Sequence, residues 1–433
     1  MNHPLISCLI LLSLSLSLSV GKINLYESAH LSTSGNAGFE FFTINDEHFI
    51  ASANFWNGIS SDMSAYSTIS KVIIDPISNL LKLTEKQRIL TKGAHGVDVF
   101  SENDDINDKN RRIFLSIPNY YYCGSDRGPS NNLCNSTMIY IFDNTLNTFT
   151  LYQTLSTSGP AQTDHFIHDS SVYILVGENF NNEVCIYRLL TSVINSSFIK
   201  HQCLSVPGAG STAIIKENNS YFLIASSYHD NGWKTKTKIY KADIKKGEEK
   251  NLSFREYQQF ETNGCHDVEV GKFNSGTFVF LSEDRIESTS KIESSLLIFD
   301  PLSNSFKTHQ KIPTDGAHAA ELFQGPDNAV YLFIANFGDR LGKRYLSKST
   351  LWRQDSTSLN GQFFKVDSVI SYGATDVEHF VINNRHFLGL SNEGDIGNRL
   401  YQKSIFYELV VIEDSITEKT VDISIKEKET KEL

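Results

Sequence analysis

The sequence predicts an all-β chain: a seven-bladed β-propeller made of four-stranded antiparallel blades. Three observations predict it. A glycine recurs seven times, at Gly35, Gly93, Gly159, Gly208, Gly264, Gly316 and Gly373, with spacings of 49 to 66 residues. That period suits one four-stranded unit, and such units bury a core only by stacking on their neighbours. Five residues after six of these glycines stands an acid: Glu40, Asp98, Asp164, Glu269, Glu321 and Glu378, with Ala213 in the fourth unit. Between glycines, one order of strand patterns repeats.

The chain opens with an apolar, serine-alternating run, Leu5 to Val20. It is short for a membrane span and no similar run recurs. Residues 1–21 are read as a secretory signal peptide, with a signal anchor as the other reading. Ile23-Asn-Leu-Tyr-Glu27 follows and has the pattern of a fourth strand.

Each unit then reads as four strands. The innermost follows the glycine, as in Val97-Asp-Val-Phe100 and Val377-Glu-His-Phe380. The second is almost wholly apolar, as in Thr277-Phe-Val-Phe-Leu281 and Val330-Tyr-Leu-Phe-Ile-Ala-Asn-Phe337. Such runs suit a sheet packed on both faces, which a propeller blade is. The third carries an aromatic, as in Ile139-Tyr-Ile-Phe142 and Leu351-Trp352. The fourth begins with an aromatic and alternates, as in Phe149-Thr-Leu-Tyr-Gln153, Phe254-Arg-Glu-Tyr-Gln258 and Phe306-Lys-Thr-His-Gln310, which marks an edge toward water. The last unit ends on a third strand, Ser404 to Val410, so the N-terminal strand is expected to complete the last blade and remove an open edge. One propeller thus spans residues 22–413. The remainder, 414–433, alternates Lys and Glu with few apolar residues and reads as a disordered tail.

The formal net charge of −11 argues against nucleic acid as a partner, since phosphate binding requires a basic surface. Four Asn-x-Ser/Thr sequons, at Asn135, Asn195, Asn218 and Asn251, fall in predicted loops and support a secreted, extracellular glycoprotein. Cys123 and Cys134 bracket a loop and are read as a disulfide. Cys185 and Cys203 lie on consecutive strands and are read as a second one. Cys265 is left over, as a small buried thiol beside its glycine.

The pattern Gly-Ala-His-x-x-[Asp/Glu]-x-Phe, then a strand ending Ala-Asn-Phe, then Ile-Tyr or Leu-Trp, resembles the EAR (EPTP, epitempin) repeat. Thr314 to Phe337 is the nearest stretch; Ala53-Asn-Phe55 and Glu178-Asn-Phe180 match well, while Ser226-Ser-Tyr228 and Ser282-Glu-Asp284 depart. The resemblance covers nearly the whole chain after residue 21. It implies a seven-bladed propeller on a secreted or cell-surface protein that binds other proteins, ADAM-family receptors among them. This chain lacks the leucine-rich repeats and laminin G domain that often accompany the propeller in that family.

The repeated acids lie on the innermost strands, so they would face the central channel. A ring of carboxylates there would hold calcium through oxygen ligands; the alternative is that each accepts backbone hydrogen bonds from the next blade. His95, His266 and His318 share the position two after the glycine. Three histidines suit zinc, but units two, five and six are separated around a ring, and a role in the turn is the preferred reading. Asn54, Asn179, Asn336 and Asn392 are read as satisfying strand ends. Connections between second and third strands are long in every unit but the third and share the glycine face. They carry Trp56, Tyr66, Tyr121, Tyr122, Tyr228, Trp233, Arg340, Arg344 and Tyr345, residue types enriched at protein-binding hot spots.

No nucleophile elbow, His-Glu-x-x-His or phosphate loop occurs. The expectation is therefore a secreted protein-binding module and not an enzyme, needing no cofactor. The alternative is a secreted propeller hydrolase or lectin acting on glycans, and a third reading is a structural matrix component.

Overall fold

A computed structural model describes residues 22–56, 63–103, 111–121, 134–191, 196–244, 252–339, 345–357, 361–394 and 403–412. Seven four-stranded antiparallel sheets form the blades of a propeller, each running in sequence order from the axis outward. The last blade comprises Ala374–Ile382, Arg385–Asn392 and Lys403–Ile412, and its outer strand is the N-terminal Lys22–Ser32. Lys22 pairs with Ile412 and Ser32 with Lys403, so the ring is closed by its two ends, as the strand count predicts. One 3-10 turn, Asn179–Asn181, serves as the short connection of the third blade. Among the described residues no helix is long and apolar enough to cross a membrane.

The core is divided among seven clusters, each between two adjacent blades. Second strands explain why. In the fourth blade, Tyr221, Leu223 and Ala225 point into the cluster shared with the third blade, while Phe222 and Ile224 point into the one shared with the fifth. The whole strand Ser220–Ser227 is buried. Period-2 alternation therefore sends apolar side chains both ways, and the sequence shows an unbroken apolar run.

A Phe-x-x-x-Gln signature on the fourth strands adds a polar fastener. Gln258 Nε2 donates to the Phe306 carbonyl at 3.0 Å, and the Phe306 N–H donates to Gln258 Oε1 at 2.8 Å. The same pair of bonds joins Gln87 to Phe149, Gln153 to Phe198, Gln202 to Phe254 and Gln310 to Phe363. Each Gln so satisfies the free edge groups of the next blade's outer strand. At the closing junction Asp367 takes this part, accepting from the Leu25 N–H at 3.1 Å.

The repeat glycines hold φ between +56° and +66°, which L side chains rarely adopt. They are also crossed by the loop that follows the second strand: a Cβ on Gly208 would lie 2.1 Å from the His229 carbonyl oxygen. The glycine carbonyl accepts an N–H from that loop in all seven blades: Phe55, Tyr120, Asn179, Tyr228, Asp284, Phe337 and Glu393. The glycines and the long connections therefore share one face.

Cys185 and Cys203 are register partners and form a disulfide, which fits an oxidising compartment. Cys134 is disulfide-bonded too, while Cys123 lies outside the described residues. Cys265 is buried and free, and burial pushes its thiol well above the usual range, so it is unreactive. Of the sequons, Asn135 and Asn218 are described, Asn218 exposed and Asn135 half-buried; Asn195 and Asn251 lie outside, as do residues 1–21 and 413–433.

Candidate functional site

Six of the seven innermost strands begin with a bulge, and in the second blade an isolated Ala94–Asn119 bridge precedes the strand Asp98–Ser101. The ladder skips a residue between Cys265 and Asp267, between Ala317 and Ala319, and between Ala374 and Asp376, with related shifts in other blades. A bulge re-aims the side chain it carries. The residue two after each glycine consequently faces the axis at the mouth: Ala37, His95, Ala161, Gly210, His266, His318 and Thr375. Above them stand residues that open the crossing loops, Phe55, Tyr120, Asn179, Tyr228, Phe337 and Glu393, with Tyr345 behind Phe337. Together they enclose a cavity of about 290 Å³.

The three histidines meet there. Ring centroids of His266 and His318 are 3.3 Å apart, and His95 lies 5.6 and 6.5 Å from them. This corrects the expectation that separate blades keep them apart. The mouth ring is narrow, and Ala37, Ala161, Gly210 and Thr375 at the same position leave space for imidazoles to reach across the axis. His266 Nδ1–H donates to the His318 carbonyl at 3.1 Å, and His318 Nδ1–H to the Thr375 carbonyl at 2.9 Å. In the neutral ring, that bond leaves Nε2 as the basic nitrogen. The rings also pack on aromatics, Tyr228 at 5.0 Å from His266 and Phe337 at 5.3 Å from His318.

Beneath the mouth runs a shaft of about 310 Å³, joined to it through Gln162 and Ser211. All six repeat acids line it, with Ala213, and a second level three after the glycine adds Asp267 and Asp376. Several carboxylates fasten neighbouring blades. Glu378 accepts from the Phe41 N–H at 3.1 Å, Glu269 from the Leu322 N–H at 3.2 Å, and Asp376 from the Phe39 N–H at 2.7 Å. Asp98 instead takes the His165 Nδ1–H at 2.9 Å. Burial is the main cause that raises seven of these carboxyls, Glu40, Asp164, Asp267, Glu269, Glu321, Asp376 and Glu378, with neighbouring carboxylates adding to it at most of them. Glu40, Glu269 and Glu321 sit well above the ordinary carboxyl range, Glu378 and Asp376 rise to about 8, Asp164 to about 7 and Asp267 to about 6.

Among the described residues, the one group of three metal-ligating side chains with donor atoms within 4.8 Å of one another is Glu183, Cys185 and Cys203, and its two sulfurs are joined in the disulfide. In the geometry described, neither the imidazoles nor the shaft carboxylates gather that tightly. His266 and His318 lie one against the other with ring planes 35° apart, not splayed as a tetrahedral ion requires.

The residues expected on the loops are divided. Tyr66 is not on the loop but in the third strand Ser64–Ile74, where it pairs with Leu90 and is 54% exposed; Trp56, Tyr121 and Trp233 are half-buried. Tyr228 turns inward to the mouth, its hydroxyl donating to Asp284 at 3.3 Å. Tyr345 is buried in the mouth wall and is not displayed on the loop surface, because it packs edge-on to Phe337. Tyr122, Arg340 and Arg344 lie outside the described residues. Asn54, Asn336 and Asn392 satisfy strand ends: each accepts the N–H just before a repeat glycine (Ser34, Asp315, Tyr372) and donates to the third strand. Asn179 does not, because Glu178 occupies that register and accepts the Ser158 N–H; Asn179 lines the mouth and bonds Ala209 and Tyr120. Sequence reasoning missed the mouth itself. Its available signal was the choice between histidine and a small residue at one register position.

No family model and no curated protein sequence matches the chain. Among solved structures it is similar to a provisionally assigned 6-phosphogluconolactonase of Bacteroides fragilis, at 10% identity and TM-score 0.51, covering 83% of this chain and 98% of that one. A Lactobacillus plantarum protein matches at 10% identity and TM-score 0.50, covering 82% and 98%. The periplasmic gluconolactonase of Pseudomonas aeruginosa matches at 12% identity and TM-score 0.49, covering 77% and 85%. At such identity the likeness shows the fold alone. The expectation that this chain is not an enzyme does not stand, because it rested on missing linear motifs and a propeller matching over most of both chains carries an enzyme assignment.

Proposed function

We propose that this chain is a propeller hydrolase acting on a small sugar-derived substrate at the axial mouth. The observation that carries the reading is the meeting of three imidazoles in one aromatic cavity, two of them held by backbone carbonyls with Nε2 as the basic nitrogen. Aromatic walls suit the apolar face of a sugar ring, and Gln162, Asn179 and Ser211 supply polar contacts for its hydroxyls. An imidazole Nε2 takes a proton from water as its oxygen attacks the carbonyl carbon of a lactone or ester. The same proton then passes to the departing alkoxide oxygen. Supporting this at the level of fold is the lactonase assignment of a similar propeller.

The test is hydrolysis of a panel of sugar lactones and aryl glycosides by purified protein, beside His266→Gln and His318→Gln. General-base loss lowers kcat by ~10² or more, with melting temperature recording whether the variant is folded. Turnover unchanged in both variants overturns the assignment of the base, and turnover of no panel member counts against the reading.

A second reading is an extracellular protein-binding module on the long-loop face, of the kind the EAR resemblance implies. It is favoured by exposed Tyr66, Leu90, Leu346 and Ile370, which lie on third and fourth strands near the ends that adjoin that face. Capture of a cell-surface protein that Tyr66→Ala and Leu346→Ala abolish supports it. A calcium ion held by the shaft carboxylates is likewise a proposal, resting on the six acids that line one channel; metal analysis of the purified protein decides it.

A further inference from the structure

The mouth is an aromatic chamber set directly over an acidic shaft. Phe55, Tyr120, Tyr228, Phe337 and Tyr345 wall it, and Glu393 stands at its rim. Below, Asp267 and Asp376 form the first acidic level. Among the described residues, no lysine or arginine lines either cavity. An aromatic face attracts a cation through its quadrupole. A narrow channel lined by one sign of charge concentrates counter-ions, and it repels anions. At about 290 Å³ the chamber has the size of a small ligand site, near the lower end of the usual range.

We infer that the axial mouth takes a compact cationic ligand, a protonated amine on a sugar-sized skeleton, with its ammonium end directed down the axis. This rests on the hydrolase reading for the sugar skeleton and on the chamber for the charge. The aromatic faces replace part of the water lost by the ammonium group, and Asp376 and Asp267 below, which burial holds toward the protonated form, give up their protons beside it to supply the counter-charge. A phosphate or carboxylate on the ligand meets the same acids as repulsion and finds no cationic partner among the described lining. The substrate class thereby differs from a phosphorylated sugar acid, which is what the assignment of the Bacteroides fragilis propeller names. The fold is shared while the charge of the site is set by its own side chains.

The experiment is calorimetric titration of the whole protein with glucosamine, glucose, glucose 6-phosphate and tetramethylammonium at low salt. Glucosamine is expected to bind at least about tenfold more tightly than glucose, tetramethylammonium to bind measurably, and glucose 6-phosphate to bind most weakly. Asp376→Asn should cut glucosamine affinity severalfold and leave that for glucose within twofold, while Tyr228→Leu should weaken both and glucosamine the more. Asp143→Asn, far from the axis, should change neither. Equal affinity for glucose and glucosamine, tighter binding of the phosphate ester, or no binding of either amine overturns the inference. Its failure differs from failure of the hydrolase reading. An amine preference without turnover leaves the charge class standing, and turnover of neutral or anionic substrates without that preference removes the charge class alone.

Discussion

Asp267 gives the sharpest test of how the shaft is held. Its carboxylate is buried beside the axis, and the Ser211 hydroxyl and the Val268 and Ala320 N–H groups near it favour its ionised form. Burial outweighs their effect and lifts the group from 3.8 to about 6. The folded state therefore binds this proton more tightly than the unfolded chain does. Its stabilising contribution is whole below pH 3.8 and is lost as pH rises through 6. A rise of that size corresponds to about 3 kcal/mol between the two limits. Asp267→Asn keeps the shape, one acceptor oxygen and a donor for Ser211, but cannot ionise. The variant should gain about 3 kcal/mol on the wild type between pH 4 and pH 8. For a propeller of this size that is roughly 3 to 4 °C in melting temperature. Thermal or urea unfolding at each half unit of pH would measure it. Parallel wild-type and variant curves would refute the reasoning, since the penalty would then not reside in this carboxylate.

Gln258→Ala removes both bonds to the Phe306 backbone and leaves buried groups unmatched, so about 2 kcal/mol of stability should go, read by denaturant midpoint. Deleting residues 22–32 opens the last blade, exposes an edge strand and should lower the melting temperature sharply; an unchanged value would contradict closure by the N-terminal strand. His379, stacked on Phe323 at 4.2 Å, is pushed down to about 3 by burial and by His386 beside it. It stays neutral in the fold, so its effect is nil above pH 6.5 and destabilising as pH falls from there toward 3. His379→Gln should flatten that acid limb in unfolding measured from pH 7 to 4.

How far the sequence carried the fold follows from what repeats. Seven glycines and apolar second strands arise from constraints imposed on every blade, and Phe-x-x-x-Gln fourth strands from one met in most of them, so one chain contains its own alignment. The glycine is required because φ is positive and a loop crosses above it, and both hold in all seven units. Closure was legible because a strand was missing at one end and spare at the other. Errors of register were also errors of repetition: Glu178-Asn179-Phe180 looks like Ala53-Asn54-Phe55, yet Glu178 takes the place of Asn54 because a carboxylate accepts the same backbone N–H.

The site was less legible for the opposite reason: it is built from departures from the repeat. At the mouth position four blades carry Ala, Gly or Thr and three carry His, and only the unequal sizes let the imidazoles meet. A seven-fold average of that position describes none of its members. The acids were visible because six of seven units share them, and that regularity fits parts that act alike at each junction, as the bonds of Glu269 and Glu378 to the following blade do. Chemistry at an axis needs unlike groups facing one another. In a closed repeat protein the regular positions accordingly report on assembly, and the irregular ones, read across the ring instead of along the chain, indicate where a ligand is handled.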